Sequence, residues 1–223
     1  MLLKKDNPLS FIQGNIKYII EQFEDFENLV KDDIIDLHDA FLDIDKGVTQ
    51  IKDIAEGLKK YIFKGTVEEK EIVDLIDEIK TVLILAKNEY KYHANVRLRY
   101  LEDKKYEIYG YASKLKQVFM NFVINAAHAI ESSNKDELGN ITIELVNLSS
   151  EILIQITDDG CGMSTKTIEK IYEPLFTTKK EGVGSGLGLS VSRQIIEEDH
   201  NGLIICESVL NKGTVFKIKL PTK

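Results

Sequence analysis

The chain has 223 residues, 43% of them hydrophobic and 30% charged, enough apolar mass for one large or two modest globular domains. A formal net charge of −8 argues against nucleic acid or an anionic membrane as a general partner. Two cysteines, Cys161 and Cys206, argue against a disulfide framework, and no stretch approaches the roughly 18 continuous apolar residues of a membrane span, so a cytoplasmic chain, or the cytoplasmic part of a larger protein, is expected.

In chain order, the first apolar positions are Leu9, Ile12, Ile16, Ile19, Phe23, Phe26 and Val30, which step by three and four alternately. After the charged break Lys31-Asp32-Asp33 the pattern restarts at Ile34, Leu37, Phe41, Ile44, Val48, Ile51, Ala55, Leu58 and Ile62. Such a repeat puts one narrow apolar seam on each of two helices, and a short charged turn makes them an antiparallel hairpin. A lone hairpin leaves half of each seam wet. The expectation over 1–64 is therefore a homodimer that closes a four-helix bundle, the alternative being a hairpin docked on its own C-terminal domain.

Gly65-Thr66 ends this pattern. Beyond it the sequence predicts a helix over about 69–91, short strands near 96–100 and 106–109, and a helix over about 113–131 with Ser113 as its N-cap. Strands follow at 141–147 and 152–157, then a glycine-rich stretch, a helix over about 187–198, and a closing hairpin of 203–208 with 214–220. The expected fold class is α+β: the N-terminal hairpin, then an α/β sandwich over 66–223 with helices on one face of the sheet.

Three segments in this second half carry chemistry. Asp158-Asp159-Gly160-Cys161-Gly162-Met163 directly follows a strand, so its glycines let backbone approach a flat ring while the carboxylate at the strand's end accepts from an exocyclic amine. A tight acidic turn would read the same way in isolation. Gly182-Val183-Gly184-Ser185-Gly186-Leu187-Gly188-Leu189-Ser190 opens a helix, where freed backbone N–H groups suit phosphate oxygens. No strand runs directly into it, as the dinucleotide fingerprint requires, and it lacks the Gly-Lys-Ser/Thr ending of a P-loop. In the helix expected over 113–131, Asn121, Asn125 and His128 fall at i, i+4 and i+7 and so share one face. An Asn side-chain oxygen can ligate Mg²⁺ beside phosphate oxygens, although two solvated amides would need no such role.

Taken together, the order and content of these segments resemble the N, G1, F and G2 boxes of the histidine kinase catalytic domain, within the wider ATPase superfamily that includes gyrase and the ninety-kilodalton heat-shock chaperones. The run from Leu115 through Asn121 and Asn125 to Ile130 resembles the N box, and Asp158 to Gly162 the G1 box. Glu173-Pro174-Leu175-Phe176-Thr177-Thr178-Lys179 resembles the F box, Gly184 to Ser190 the G2 box, and Gly213-Thr214-Val215-Phe216 the terminal strand motif. The resemblance implies ATP and Mg²⁺ as cofactors, with Asn125 as the metal ligand, Asn121 beside it, and His128 near the phosphates. It implies that Asp158 accepts from the adenine amine, that Gly160 and Gly162 line the base pocket, that Met163 and Thr214 belong to the ATP-binding set, and that Phe176 anchors a lid carrying Thr177, Thr178 and Lys179. Gly184, Gly186 and Gly188 would wrap the phosphates, with Ser185, Leu187 and Leu189 also in the ATP-binding set. Only Lys180 to Val183 separate the end of the F box from Gly184, so the lid is short.

Two positions bear on the reaction. Hydrolytic members of the superfamily carry a Glu four residues before the Mg²⁺ asparagine. Asn121 stands there, and an amide cannot act as a general base, so transfer of the γ-phosphoryl group is favoured over hydrolysis. The family's acceptor motif, His-Glu-x-x-Asn-Pro, matches Asn7-Pro8 at its end, but Leu3 and Lys4 occupy the histidine and acidic positions. His38, in Asp36-Leu37-His38-Asp39, resembles the acceptor motif of a different subfamily, while a solvated histidine on a helix flank is the plainer reading. Leu3 leaves three readings open: a kinase core that has lost its acceptor, a kinase acting on a histidine of another chain, or an ATP-binding dimeric regulator that does not phosphorylate itself. For the first two, an aspartate-bearing response regulator receiver domain is the implied downstream partner.

Overall fold

In the computed structural model of the chain, the described residues are Ile16, Lys17, Ile44, Val48, 69–133, 137–179 and 185–222. The hairpin expected over 1–64, with Leu3 and His38, lies outside them except at those four positions, all helical, and so does Gly184. The chain divides into two compact units: Val67–Phe176 with Gly186–Lys223, and Met1–Thr66 with Thr177–Ser185.

The larger unit is built on a five-stranded sheet in the order β2-β4-β5-β7-β6, from β2 (Ala94–Arg99), β4 (Gly139–Asn147), β5 (Glu151–Asp158), β6 (Leu203–Val209) and β7 (Gly213–Pro221). Only β2 with β4 is parallel; the other pairings are antiparallel. A separate antiparallel ribbon pairs β1 (Glu71–Asp74) with β3 (Glu107–Gly110). Along β5, every second residue is buried, Ile152, Ile154 and Ile156 among them, and β7 buries Phe216, Ile218 and Leu220 in the same rhythm. One sheet face is thus covered, as expected. The other carries charged side chains, with Lys217 bonded to Glu207 at 2.6 Å and Lys219 to Glu151 at 2.9 Å.

The covering layer centres on α3 (Ala112–Glu131), whose buried residues Leu115, Val118, Phe119, Phe122, Val123, Ala126, Ala127 and Ile130 follow the helical period. Phe122 meets Phe216 of β7 with ring centroids 4.6 Å apart. Beside α3 lie α1 (Leu75–Leu85) and α5 (Gly188–Gln194), the latter continuing into a single π turn over Ile195–Asp199. Short helices α2 (Lys87–Tyr90) and α4 (Thr165–Ile168) complete the set.

The structure departs from the expected elements in three places. The helix expected over 69–91 begins instead at Leu75, because Asp74 caps it, accepting from Ile76 N–H at 2.8 Å, and because the four residues before it are claimed by β3. Ala86 separates α1 from α2, so the expected single helix is two. Finally, α3 is preceded by Tyr111 as its N-cap rather than Ser113, with no side-chain cap of its own. The Tyr111 N–H is instead accepted by His200 Nε2 at 3.0 Å, from a residue 89 positions away.

His200 is only 4% exposed, and both ring nitrogens are used: Nε2 accepts from Tyr111, so Nδ1 carries the proton and donates to the Ile195 carbonyl at 2.8 Å. Burial pushes its pKa below the usual 6.5, the Ile195 bond and Asp199 oppose that, and Lys70 and Lys114 add to it. Lys114 is itself paired with Asp199 at 2.8 Å. The unfolded chain therefore takes up a proton on this ring that the folded protein resists, and stability contributed by neutral His200 is present above pH 6.5 and lost as pH falls below it. Thermal unfolding followed from pH 8 to pH 5 is expected to show a smaller fall in midpoint for His200→Gln than for the wild-type chain. Parallel curves would remove His200 as a source of the slope.

Candidate functional site

Asp158 ends β5 on the buried face of the sheet, 6% exposed, and its Oδ1 accepts the Gly160 N–H at 2.9 Å, closing a tight side-chain turn. Its neighbour Asp159 serves a different end. One carboxylate oxygen accepts from Asn140 N–H and the other from Asn140 Nδ2, both at 2.9 Å, which staples the loop to β4. Two adjacent carboxylates are thereby separated into an inward and an anchoring group.

The loop that follows is wedged between α3 and the β6–β7 turn. Cys161 N–H donates to the Ala129 carbonyl at 2.9 Å, and a Cβ on Gly160 would lie 2.5 Å from the Ala129 carbonyl carbon. On the other side, Asn211 N–H donates to the Cys161 carbonyl at 2.7 Å and Met163 N–H to Ser208 Oγ at 2.8 Å. Gly162 has φ +62°, and a Cβ there would strike the Val209 carbonyl oxygen. Thr214 of β7, 5% exposed, stands opposite Asp158 in the ladder. Asp158, Gly160, Gly162, Met163 and Thr214 therefore lie in one cluster.

The cysteines nearby sit where the thiolate is disfavoured. Burial and then the Asp158 charge raise the Cys161 thiol, and the same causes with Glu207 push Cys206 up to about 12, so both stay protonated at neutral pH.

A second cluster joins α3 to α5. Asn121 Nδ2 donates to the Gly188 carbonyl and to Ser192 Oγ, each at 3.1 Å, and Ser192 passes its proton to Gly188 at 2.8 Å. Asn125 and His128, one and two turns further along α3, are half-buried on the same side. Gly186 has φ +66°, and its Cβ would run into the backbone of Leu175, itself at φ +66°, so the glycine-rich run folds against the turn that precedes Phe176. Gly188 is different: a Cβ there would make ordinary contact, 3.5 Å from the Asn121 side chain. Phe176, Leu187 and Leu189 pack on the core from this side. Thr177, Thr178, Lys179 and Ser185 belong to the other unit, where Lys179 N–H donates to Thr177 Oγ1 at 3.1 Å.

Ser208, Ser192 and the Asp159–Asn140 staple carry no local sequence signal. Ser208 lies 45 residues from Met163, and the β5–β7 and β6–β7 ladders bring them together. Among the described residues, no three His, Cys, Asp or Glu side chains gather as a metal site, and no helix is long and apolar enough to cross a membrane.

Residues 110–223 match the family described as histidine kinase-, DNA gyrase B-, and HSP90-like ATPase. The chain is 33% identical over 216 residues to sporulation kinase B of Bacillus subtilis, covering 96% of this chain and 46% of that protein. It is 42% identical over 117 residues to sporulation kinase E of the same organism, 52% of this chain and 15% of that one. The chain thus spans less than half the length of the curated relatives it matches. Among solved structures, the catalytic domain of histidine kinase ThkA superposes with a TM-score of 0.58 at 29% identity, covering 69% of this chain and 96% of that domain. ThkA in complex with the response regulator protein TrrA gives a TM-score of 0.63 at 26% identity, covering 97% of this chain and 58% of that one.

Proposed function

The chain belongs to the histidine kinase-, DNA gyrase B- and HSP90-like ATPase family, and from that premise we propose that it is the core of a two-component sensor kinase. In this reading it binds Mg²⁺-ATP and passes the γ-phosphoryl group to a histidine, from which an aspartate of a response regulator receiver domain takes it. The observation that carries the reading is the buried Asp158 set beside Thr214 at the mouth of a loop whose glycines admit no side chain. Asp158 accepts from the base amine, Gly160, Gly162 and Met163 line the ring, and backbone N–H groups between Gly186 and Gly188 face the phosphates.

Asn125 would hold Mg²⁺ through its side-chain oxygen, with phosphate oxygens completing the shell; an all-oxygen donor set of this kind suits that ion, and among the described residues no carboxylate cage competes. When bound, the ion neutralises charge on the transferring phosphate. Asn121, whose nitrogen is committed to Gly188 and Ser192, positions the start of α5 and supplies no carboxylate to activate water. That favours transfer over hydrolysis. The same proposal includes homodimerisation through the apolar seams read from the sequence of 1–64.

A second reading rests on Leu3: with no histidine or neighbouring acid at the family's acceptor position, the chain acts as an ATP-binding dimeric regulator. Incubation with γ-labelled ATP, followed by acid treatment and peptide mapping, separates the two. Acid-labile label on His38, or on an added partner, supports the kinase. Retained ATP binding with no label anywhere supports the regulator. Asn125→Ala is expected to abolish the Mg²⁺-dependent part of ATP affinity, measured by calorimetry with Mg²⁺ and with a chelator. Equal affinities in both conditions for the wild-type chain would sink the metal assignment.

A further inference from the structure

Ser208, on β6, makes three hydrogen bonds through one hydroxyl, and their directions follow by elimination. Met163 N–H can only donate, so Ser208 Oγ accepts from it at 2.8 Å. The Gly213 carbonyl can only accept, so the single Ser208 proton goes there, at 2.9 Å. The third contact, 3.0 Å to Thr214 Oγ1, must then run from Thr214 to Ser208. A hydroxyl has one proton and two lone pairs. Thr214 thus commits its proton to Ser208 and keeps only acceptor capacity.

Thr214 stands opposite Asp158 in the β5–β7 ladder, and the two are 5% and 6% exposed. Resting on the nucleotide-binding reading above, we propose that Ser208 is a positioning residue that sets base preference. By consuming the Thr214 proton it leaves an edge made only of acceptors, the Asp158 carboxylate and Thr214 Oγ1. That edge suits the exocyclic amine of adenine and repels the carbonyl oxygen at the same position of guanine, because a buried acceptor facing an acceptor is left unsatisfied. The same hydroxyl ties the Met163 end of the glycine loop to the β6–β7 turn, so pocket shape and pocket polarity depend on one atom.

Without Ser208, the Thr214 hydroxyl is free to rotate and donate, and guanine gains a partner. Equilibrium binding of Mg²⁺-ATP and Mg²⁺-GTP to the full chain, by calorimetry, tests this with Ser208→Ala, Ser208→Thr and Thr214→Val. The wild-type chain is expected to prefer ATP, and Ser208→Ala to narrow the ATP:GTP ratio about tenfold, the worth of one buried hydrogen bond to a charged or well-aligned partner. Ser208→Thr, which keeps the hydroxyl, restores the ratio. Thr214→Val removes the acceptor while leaving the Ser208 bonds to Met163 and Gly213, so it narrows the ratio too and gives a result even if Ser208→Ala fails to fold. An unchanged ratio in Thr214→Val, or equal losses for both nucleotides in Ser208→Ala, overturns the proposal. A wild-type chain that binds neither nucleotide removes the nucleotide reading and this inference with it, whereas intact ATP preference in every variant removes only the role given to Ser208.

Discussion

Asp158→Asn is expected to lower ATP affinity about a hundredfold while leaving the fold intact, because a site built to accept from an amine rejects the ligand when its acceptor is replaced by a donor. The substitution keeps a side-chain oxygen to receive the Gly160 N–H, now 2.9 Å from Oδ1, so the turn after β5 survives. A hundredfold loss corresponds to about 2.7 kcal/mol, within the range of one hydrogen bond to a charged group. Asp158→Ala should lose binding as well, and it also strands the buried Gly160 N–H, which costs stability. Calorimetric titration with ATP, alongside thermal unfolding, distinguishes the two variants. Unchanged affinity in both would remove Asp158 from the site.

Gly162→Ala should damage the loop itself. Its φ of +62° is unfavourable by about 1–2 kcal/mol for a residue with a Cβ. That Cβ would also be driven into the Val209 carbonyl, a backbone atom with β6 and its turn behind it. A total cost of at least about 2 kcal/mol would lower the melting temperature by about 4–8 °C for a unit of this size. ATP affinity should fall with it, since Met163 and Cys161 are held on the same strip of backbone. A variant with the wild-type melting temperature would show that the loop has slack at this point.

Much of the sandwich was legible because its long elements repeat their pattern locally. The stripe from Leu115 to Ile130 carries enough turns to reveal the helical period, and β4, β5 and β7 alternate over eight or nine residues each. β1 was hidden for the opposite reason. Four residues are too few for a period of two to outweigh the helical pattern around them, and their strand conformation is maintained by pairing with 107–110, more than thirty positions away. The N-cap at Tyr111 was missed likewise. Ser113 looked like a cap by residue type, but the acceptor for the orphan N–H comes from His200, on the far side of the chain sequence.

The candidate site divides along the same line. Residue type and spacing alone determined which groups are on hand: carboxylates at a strand end, glycines where backbone must come close, and amides one turn apart on a helix. Which of two neighbouring carboxylates points inward was decided by the tertiary structure. Asp158 continues the buried rhythm of Ile152, Ile154 and Ile156, and Asp159 is caught by Asn140 on the adjacent strand. The register of β5 against β4 and β7 sets that division and places Thr214 at Asp158, and the β6–β7 ladder then brings Ser208 within reach of both Thr214 and Met163. Hydrogen-bond direction at that junction depends on three partners drawn from separate parts of the chain, so no local window of sequence contains it.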